Sequence, residues 1–374
     1  MKRKLYRLTT ISCSFNELLR GQLRYLNNYF DVSAIAHDTG TLAEVATEQG
    51  VNTIAVTMAR DIKPWQDLKS LVTLYRLFRR GRPDIVHANT PKASLLAMVA
   101  AFAARVPHRI YTVTGLRFET TTGLKRLLLK SMERLTCACA TKVIPEGEGV
   151  RATLLREGIT RKSLHKIHNG NINGVDLDHF RCSEEILLEA DRLKTEEFIF
   201  IFVGRIVRDK GIDELVEAFD RLSAHRSDVA LHLVGRFEEE LDPISPRTRQ
   251  TIEHNAHIRL CGYQRDVRPY IAAADILVLP SYREGFPNVV IQAGAMETPA
   301  IVSNISGCNE IIIEGQNGII VPPRDAEALY RAMVRVVEHR TLTRQMAQRA
   351  RAMVASRYDQ RDVWRATLEM YRNL

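Results

Sequence analysis

"FIFIFVGRIVRDKGIDELVEAF", residues 198–219, decides the fold class. Its opening apolar run predicts a buried strand, and the apolar residues after the loop recur at three and four, as in an amphipathic helix. A strand followed directly by a helix is the building unit of a parallel sheet. The strand ends at Gly204-Arg205, and Lys210-Gly211 stand just before the helix, so two cations at one strand end suit a diphosphate. Solvated cations near a turn would explain this stretch alone equally well.

The same alternation runs through the rest of the chain. In the first half we predict the strands "KLYRLTTI", "DVSAIAH", "NTIAVTM", "DIVHANT", "RIYTVTG" and "TKVIP"; in the second half, "FIFIFVG", "VALHLVG", "HIRLCG", "ADILVLP", "PAIVS" and "GIIVP". Amphipathic helical segments, among them "NELLRGQLRYLNN" at 16–28, lie between them. We therefore predict two doubly wound α/β domains, 1–178 and 196–355, joined by a polar linker at 179–195. A cleft between two such domains is the expected substrate site.

Composition supports a folded soluble protein of two domains. The chain has 374 residues, of which 45% are hydrophobic and 26% charged. The longest apolar run, "SLLAMVAAFAA" at 94–104, is too short to cross a bilayer, and the chain start lacks the features of a signal peptide. The six cysteines are scattered, which favours reduced thiols over disulfides or a zinc site.

The net positive charge of the chain lies entirely in its first half. Residues 1–195 hold 30 Lys and Arg against 19 Asp and Glu, whereas residues 196–374 hold 23 against 25. Such asymmetry points to nucleic acid, an anionic membrane or an acidic substrate. Because the basic stretches lack interleaved aromatic residues, nucleic acid is the weakest of these interpretations.

Two basic amphipathic helices favour the membrane. The segment 122–135 places five apolar residues on one face, and both it and 71–83 carry four cations. These are Leu124, Leu127, Leu128, Met132 and Leu135, with Lys125, Arg126, Lys130 and Arg134 around them, and Arg76, Arg79, Arg80 and Arg82 in the other helix. Basic amphipathic helices lie on anionic membrane surfaces. An ordinary core-facing helix with solvated cations would explain either helix alone equally well.

A second stretch, "SYREGFPNVVIQAGAMETPAIVSN" at 281–304, carries a second candidate site. Pro287-Asn288 can open a helix, whose first free amides offer donors to an anionic or hydroxylated ligand. Glu284 stands just before this start, and Gln292 follows eight residues later, a little over two helical turns. A capped core helix with one satisfied glutamine is the alternative.

Together the two stretches resemble the retaining glycosyltransferases of family 4, which have the GT-B fold. The resemblance is strong over about 196–330 and looser over 1–195. It implies two Rossmann-like domains facing a central cleft, with a nucleotide-sugar held by the second. It also implies that a terminal helix at about 356–374 crosses back to the first domain.

The resemblance also implies roles for individual residues. Arg205 and Lys210 would neutralise the leaving diphosphate, and Glu284 would accept hydrogen bonds from donor-sugar hydroxyls. The resemblance implies further contacts with the nucleotide-sugar. They lie at Gly204 in the first motif, at Gly285, Phe286 and Asn288 around the helix start, at Tyr263 in the loop that reads the base, and at Thr114 and Gly115 in the first domain. Phe286 and Asn288 would act through their backbone amides.

Two positions depart from the family pattern. Gln292 stands where the second acid of the E-x7-E motif accepts from the ribose hydroxyls; an amide oxygen can accept, but without charge. Thr114-Gly115 stands where many members have His-Gly. A glycine loop without histidine, and a segment like "SNISGCNEIIIEG" at 303–315, occur in relatives that extend polyprenyl-diphosphate-linked sugars. No base is needed at 114 if the leaving phosphate itself assists deprotonation on the donor's front face.

We therefore expect a retaining hexosyl- or N-acetylhexosaminyl-type transferase that uses a nucleotide-sugar, a UDP-sugar in our prediction, on a lipid-linked glycan acceptor for surface polysaccharide. We expect no cofactor and no metal; Asp176-Leu177-Asp178 resembles a D-x-D metal motif but is interpreted as a turn. The expected location is cytoplasmic, peripheral on the inner membrane face. A catalytically weak nucleotide-sugar-binding partner and a soluble transferase with a small acceptor stay open. A Rossmann dehydrogenase is disfavoured because GxGxxG is missing.

Overall fold

The computed structural model describes residues 2–59, 63–238 and 242–374. Its contacts divide the chain into two units, Met1–Asn173 with Gln360–Leu374 and Gly174–Asp359, here called unit 1 and unit 2. Each contains one six-stranded parallel sheet, so the predicted fold class of two doubly wound α/β domains is confirmed.

Unit 1 has the strand order β3-β2-β1-β4-β5-β6, which reverses direction between β1 and β4. Its strands are β1 (Lys4–Ile11), β2 (Asp31–His37), β3 (Asn52–Ala55), β4 (Ile85–Ala88), β5 (His108–Val113) and β6 (Lys142–Pro145). Its helices are α1 (Cys13–Leu18), α2 (Gln22–Asn27), α3 (Leu42–Gln49), α4 (Pro64–Gly81), α5 (Pro91–Ala103), α6 (Gly123–Cys139), α7 (Glu148–Arg156) and the C-terminal α16 (Gln360–Arg372). The apolar run at 94–104 lies largely in α5, which packs against β1, β4 and β5.

The helix predicted at 16–28 is two helices in the structure. The helical geometry is interrupted before α2 at Gly21, which has a φ of 78°. A side chain there would also meet Trp364, since an added Cβ would lie 2.6 Å from its ring. The left-handed backbone suits glycine and ends the regular helical geometry, which apolar periodicity alone does not reveal.

The C-terminal helix α16 belongs to unit 1, as the resemblance implied, and a buried polar cluster anchors it. The Tyr371 hydroxyl accepts from Arg7 Nη1 at 2.8 Å and lies 2.5 Å from His87 Nδ1. His87 Nε2 lies 2.7 Å from the Thr112 hydroxyl. Burial, and then the Arg7 charge, hold the pKa of His87 well below its usual value, so the imidazole is neutral and can accept from Tyr371.

Unit 2 repeats the order, β12-β11-β10-β7-β8-β9, and reverses direction between β7 and β10. Its strands are β7 (Phe198–Val203), β8 (Val229–Val234), β9 (Ile258–Gly262), β10 (Ile276–Leu279), β11 (Ala300–Ser303) and β12 (Gly318–Val321). Its helices are α8 (Glu184–Asp191), α9 (Ile212–Ser223), α10 (Pro246–His254), α11 (Arg268–Ala273), α12 (Asn288–Ala295), α13 (Cys308–Ile311), α14 (Ala326–Glu338) and α15 (Arg340–Tyr358).

The segment 179–195, which we predicted as a linker, differs in the structure. It contains helix α8, which packs against α11 and belongs to unit 2. Ile186 and Ala190 are buried there, and the Ser183 side chain caps the helix by accepting from the amide of Ile186. The sequence suggested a linker because the apolar residues of this segment are interspersed with charged ones. The return to unit 1 falls at Asp359–Gln360.

Of the helices that the structure describes, none combines the length and apolar character needed to cross a bilayer.

Candidate functional site

The candidate site lies at the carboxyl ends of β7 and β10. These strands are parallel neighbours, with Phe200 opposite Ile276 and Ile201 opposite Leu277. They flank the point where the strand order of unit 2 reverses, which is where open α/β sheets bind ligands. The loops that leave them are 204–211 and 280–287, so both predicted motifs meet at one edge.

The two loops are held together through their backbones. The Tyr282 amide donates to the Asp209 carbonyl at 2.9 Å. Gly211 has a φ of 69°, and a Cβ on it would lie 2.1 Å from the Pro280 carbonyl oxygen. Any side chain at 211 would push the loops apart, so glycine is required there for close approach.

Two ion pairs join the same loops, and the cation comes from a different loop in each pair. Lys210 Nζ pairs with Glu284 Oε1, and both side chains are largely buried. Arg283 donates from Nε at 2.9 Å and from Nη2 at 2.8 Å to Asp209 Oδ2. Each loop therefore contributes one cation and one anion to the contact between the loops. This arrangement presents an ammonium group suited to phosphate next to a carboxylate suited to sugar hydroxyls.

Neighbouring elements support the loop after β7. Asp242 accepts from the Asp209 amide through Oδ2 at 2.6 Å, and its carbonyl accepts from the Arg208 amide at 3.1 Å. On the other loop, the Tyr282 hydroxyl donates to the Glu214 carboxylate of α9 at 2.7 and 2.9 Å. These bonds fix the backbone on both sides of the Lys210–Glu284 pair.

Arg205 lies on the same loop as Lys210 but has a different partner. Its Nη1 donates to Glu238 Oε2, in the loop after β8, at 2.8 Å. The Arg205 side chain is 52% exposed, whereas that of Lys210 is 19% exposed. The structure thus brings Lys210 and Glu284 into contact and directs Arg205 toward the next loop.

Helix α12 begins at Asn288, next to the Lys210–Glu284 pair. Pro287 is its N-cap, and the buried Phe286 packs edge-on against Tyr358 with ring centroids 5.4 Å apart. Gln292 is half-buried, and no side-chain hydrogen bond to a described residue involves it. The Gln292 side-chain amide is therefore available to bind a ligand. Its helix begins four residues after Glu284.

Cys308 lies behind the pair and is fully buried. Burial, and then the negative charge of Glu284, raise the pKa of the Cys308 thiol well above its ordinary value. The thiol is therefore neutral and unsuited to act as a nucleophile.

The remaining predicted residues lie at other strand ends. Tyr263 follows β9 and is 61% exposed, with the Arg236 guanidinium 4.2 Å from its ring centroid. Thr114 follows β5 in unit 1, and its hydroxyl donates to the Asn89 carbonyl at 2.9 Å; Gly115 has a φ of 121°. The structure thus places these positions at carboxyl strand ends, and their donor contacts stay predictions.

Asp176, the first acid of the D-x-D sequence, is engaged in a turn. Its Oδ1 accepts from the amides of Asp178 at 3.0 Å and His179 at 3.1 Å. This is an Asx turn, in which the carboxylate serves the local backbone.

The sequence reasoning missed Asp209, Arg283 and Asp242. A signal was present for the first two, since "RDKG" and "YREG" carry adjacent charges of opposite sign in inverted order. Recognising the pair required knowing that these loops lie side by side. Asp242 gave no signal, because it follows an acidic run that reads as a solvated loop.

Two family models match the chain. One, described as "Glycosyl transferases group 1", matches residues 197–339, within unit 2. The other, described as "Glycosyl transferase 4-like domain", matches residues 19–170, within unit 1. The first model spans all six strands of the unit 2 sheet, and the second spans β2 to β6 of the unit 1 sheet.

Curated relatives match over most of their length. The capsular polysaccharide biosynthesis glycosyltransferase CapM of Staphylococcus aureus is 32% identical over 374 residues, covering 99% of this chain and 97% of the relative. An Escherichia coli enzyme, UDP-Gal:alpha-D-GlcNAc-diphosphoundecaprenol alpha-1,3-galactosyltransferase, is 28% identical over 327 residues, covering 84% of this chain and 82% of the relative.

Solved structures agree on the fold. Anabaena HepE, crystallised with UDP-glucose, superposes with a TM-score of 0.83 at 19% identity, covering 99% of this chain and all of HepE. The chain belongs to the group 1 and 4-like glycosyl transferases, and it is a glycosyltransferase with the GT-B fold.

Proposed function

We propose that this enzyme transfers one hexosyl or N-acetylhexosaminyl group from a UDP-sugar, with retention, to a membrane-anchored glycan precursor in surface polysaccharide synthesis. The relatives' names support the pathway class: CapM is named for capsular polysaccharide, and the E. coli enzyme for a diphosphoundecaprenol acceptor. HepE, which shares the fold, was crystallised with UDP-glucose.

The observation that carries the proposal is the Lys210–Glu284 pair at the strand-order reversal of unit 2. Lys210 supplies positive charge for the diphosphate as it leaves, and Arg205 adds a second cation from the same loop. Glu284 accepts from hydroxyls of the donor sugar. Charge that grows on the leaving group is met by cations already in position, which is how such sites lower a barrier.

The same region offers contacts for the rest of the donor. The backbone amides of Phe286 and Asn288, at the start of α12, bind sugar and phosphate oxygens. Gln292 accepts from the ribose, and Tyr263 contacts the base. In unit 1, Thr114 and Gly115 stand at the positions to which the family resemblance gives a donor-sugar contact. Thr114 is no base, and the departing phosphate assists deprotonation of the acceptor.

We further propose that transfer needs no metal or cofactor and occurs on the inner face of the cytoplasmic membrane. Lys210 and Arg205 supply the charge that a divalent cation supplies elsewhere, and Asp176 is used in its own turn. The positive excess of residues 1–195 supports contact with anionic lipid.

The test is nucleotide release from a panel of UDP- and GDP-sugars, with and without a polyprenyl-diphosphate-linked sugar. We expect release from one UDP-sugar, increased by the lipid acceptor, insensitive to EDTA and lost in Glu284→Ala. Chromatography and proton NMR of the product would report the linkage, and an axial-to-equatorial change at the anomeric carbon would contradict retention.

Nucleotide binding without release from any donor would favour a catalytically weak binding partner instead. The replacements Gln292 and Thr114 are what motivate that alternative. Release that rises with a small water-soluble sugar and ignores the lipid acceptor would favour a soluble transferase.

A further inference from the structure

Helix α6 (Gly123–Cys139) turns its apolar side to solvent. Leu124 is 85% exposed, Leu127 is 57% exposed, and Leu128 and Leu135 are each about half exposed. Of the residues that α6 buries, Glu133, Thr136 and Cys137 lie away from this stripe on the helix, and Cys139 is in its last turn. The sequence left open whether this leucine stripe faces the core, and the structure answers that it does not.

Helix α4 (Pro64–Gly81) does the same. Trp65 is 81% exposed, and Leu68, Val72 and Tyr75 continue its stripe at helical spacing with exposures of 50%, 38% and 39%. The buried residues of α4 are Ser70, Leu74 and Phe78, again on the opposite side. Two helices therefore expose ordered apolar stripes, whereas scattered single exposed residues are what a soluble surface usually has.

Both stripes lie on one side of the unit 1 sheet. α4 and α6 each pack against α5 (Pro91–Ala103), and residues of all three helices share one core cluster with the sheet. The stripes are the outward sides of the two helices that flank α5. We call them together the leucine–tryptophan face, composed of Trp65, Leu68, Val72, Tyr75, Leu124, Leu127, Leu128 and Leu135.

Cations surround this face, and the carboxylates of its two helices are neutralised or buried. Exposed basic residues on or beside these helices are Lys63, Lys69, Arg76, Arg79, Arg80, Lys125 and Arg134. The only acid of α4, Asp67, pairs with Lys92. The only acid of α6, Glu133, is buried against the Tyr111 hydroxyl at 2.9 Å.

We propose that the leucine–tryptophan face inserts into the headgroup region of an anionic lipid bilayer, with its cations on lipid phosphates. Apolar side chains beneath a rim of Lys and Arg, with tryptophan at one end, are complementary to such an interface. The inference rests on the membrane-anchored acceptor proposed above. It adds which surface binds and that part of the attachment is hydrophobic.

Vesicle sedimentation without any sugar substrate tests this independently of turnover. The protein is expected to bind phosphatidylglycerol-containing vesicles and to bind phosphatidylcholine vesicles far more weakly. Trp65→Ser with Leu124→Ser should weaken binding by about tenfold per residue, since each removes roughly one buried large apolar side chain. Because both residues are exposed, the melting temperature should not change. Leu188→Ser, an exposed leucine of unit 2, is the matched control.

Fluorescence gives a second readout, because the chain has two tryptophans. Trp364 donates to Asn173 Oδ1 at 2.7 Å within unit 1, so Trp65 is the exposed reporter. In Trp364→Phe, vesicles should shift emission to shorter wavelength. No vesicle binding, or equal binding by the double-serine variant, would overturn the proposal. Self-association abolished by that variant, without vesicle binding, would overturn it in favour of a second copy of the chain.

A separate observation concerns the Asp209–Arg283 pair, and we infer that it positions Lys210 and Glu284. Asp209 is the chain neighbour of Lys210 on one loop, and Arg283 is the chain neighbour of Glu284 on the facing loop. Two backbone hydrogen bonds also fix Asp209: its amide donates to the Asp242 carboxylate, and its carbonyl accepts from the Tyr282 amide. Arg283 is thereby held by a rigid acceptor, which sets Glu284 opposite Lys210. This inference rests on the donor roles proposed for those two residues.

Asp209→Asn and Arg283→Gln should each lower kcat about 10- to 100-fold, with the donor KM within about threefold and unchanged melting temperature. Arg283→Lys should recover part of kcat. The double variant should be no worse than the single ones, because both break one contact. The control is Arg226→Gln, which breaks the similarly exposed Arg226–Asp228 pair, with 2.9 Å contacts, elsewhere in unit 2.

Two outcomes separate this inference from the proposed function. If Lys210→Ala abolishes transfer while Asp209→Asn keeps wild-type kcat, the positioning role is wrong and the donor site stands. If Lys210→Ala transfers normally, the donor assignment itself is wrong.

Discussion

The two units share one strand order but place different chemistry at the reversal of that order. In unit 2 the loops after β7 and β10 are joined by Lys210–Glu284 and Asp209–Arg283. In unit 1 the corresponding neighbours, β1 and β4, are joined by hydrogen bonds to neutral side chains: the Thr10 and Thr90 hydroxyls are 2.8 Å apart, the Thr10 amide donates to Thr90 Oγ1, and the buried Arg7 guanidinium donates to Asn89 Oδ1 at 2.9 Å. The reversal point is thus joined by ion pairs in unit 2 and by hydrogen bonds to neutral side chains in unit 1.

The two units also differ in the surface that their outer helices expose. Unit 1 exposes the leucine–tryptophan face with its rim of cations, and its half of the sequence carries the net positive charge. The comparison teaches that the fold fixes where loops meet, while loop and surface residues decide what each unit does. Under the two proposals above, unit 2 carries the donor chemistry and unit 1 the membrane attachment.

The largest expected effect breaks the charged reversal point. Lys210→Ala and Arg205→Ala should lower kcat on the order of 100- to 1,000-fold, because the charge they meet grows in the transition state. Steady-state nucleotide release measures this, with Lys194→Ala, an exposed ion-pair lysine of unit 2, as the control. Activity within about twofold of wild type in both variants would remove the phosphate assignment.

A second test contrasts the buried titratable groups of the two units. Burial raises the pKa of Glu133 in unit 1 to about 7, so its contribution to stability is lost as pH rises from about 4.5 through 7. Burial, and then Arg259, lower the pKa of His232 in unit 2 to about 4, so stability is lost as pH falls from about 6.5 to 4. Each effect amounts to about 3 kcal/mol at its limit.

Calorimetry of Glu133→Gln and His232→Phe across pH 4.5–7.5 checks the signs. The melting temperature of Glu133→Gln relative to wild type should rise with pH, and that of His232→Phe should rise as pH falls. Parallel profiles for the two variants would contradict the opposed environments of these groups.

The smallest expected effect concerns the role of Gln292 on helix α12. Gln292→Glu should tighten donor binding up to about tenfold or leave it unchanged, because a carboxylate accepts more strongly than an amide. Calorimetric titration with the donor measures this, and Gln292→Leu tests loss of the acceptor. A large loss of affinity in Gln292→Glu would mean that the ribose role is wrong.

Much of the fold could be predicted from the sequence, because apolar periodicity reports elements directly. "KLYRLTTI" and "DVSAIAH" coincide with β1 and β2 to the residue. What failed depended on contacts between distant residues. The break at Gly21 is imposed partly by Trp364, and α8 is held by its packing on α11.

For the candidate site, the motifs indicated the right loops but not their geometry. Lys210 and Glu284 are 74 residues apart, and only the strand order brings them into contact. Arg205 and Glu238 come from different loops, and no pattern in the sequence indicates that they meet. Whether the α6 leucines face inward could not be read from spacing, because a core stripe and an exposed stripe have the same period.

The most direct test of the central claim, that the units divide donor chemistry from attachment, measures two properties in two variants. Donor-dependent nucleotide release and partitioning to phosphatidylglycerol vesicles are each measured for Lys210→Ala and for Trp65→Ser with Leu124→Ser. We predict that Lys210→Ala loses release and keeps partitioning. The double-serine variant should lose partitioning and keep donor affinity and release toward a detergent-solubilised acceptor. Loss of both properties in both variants would contradict the division.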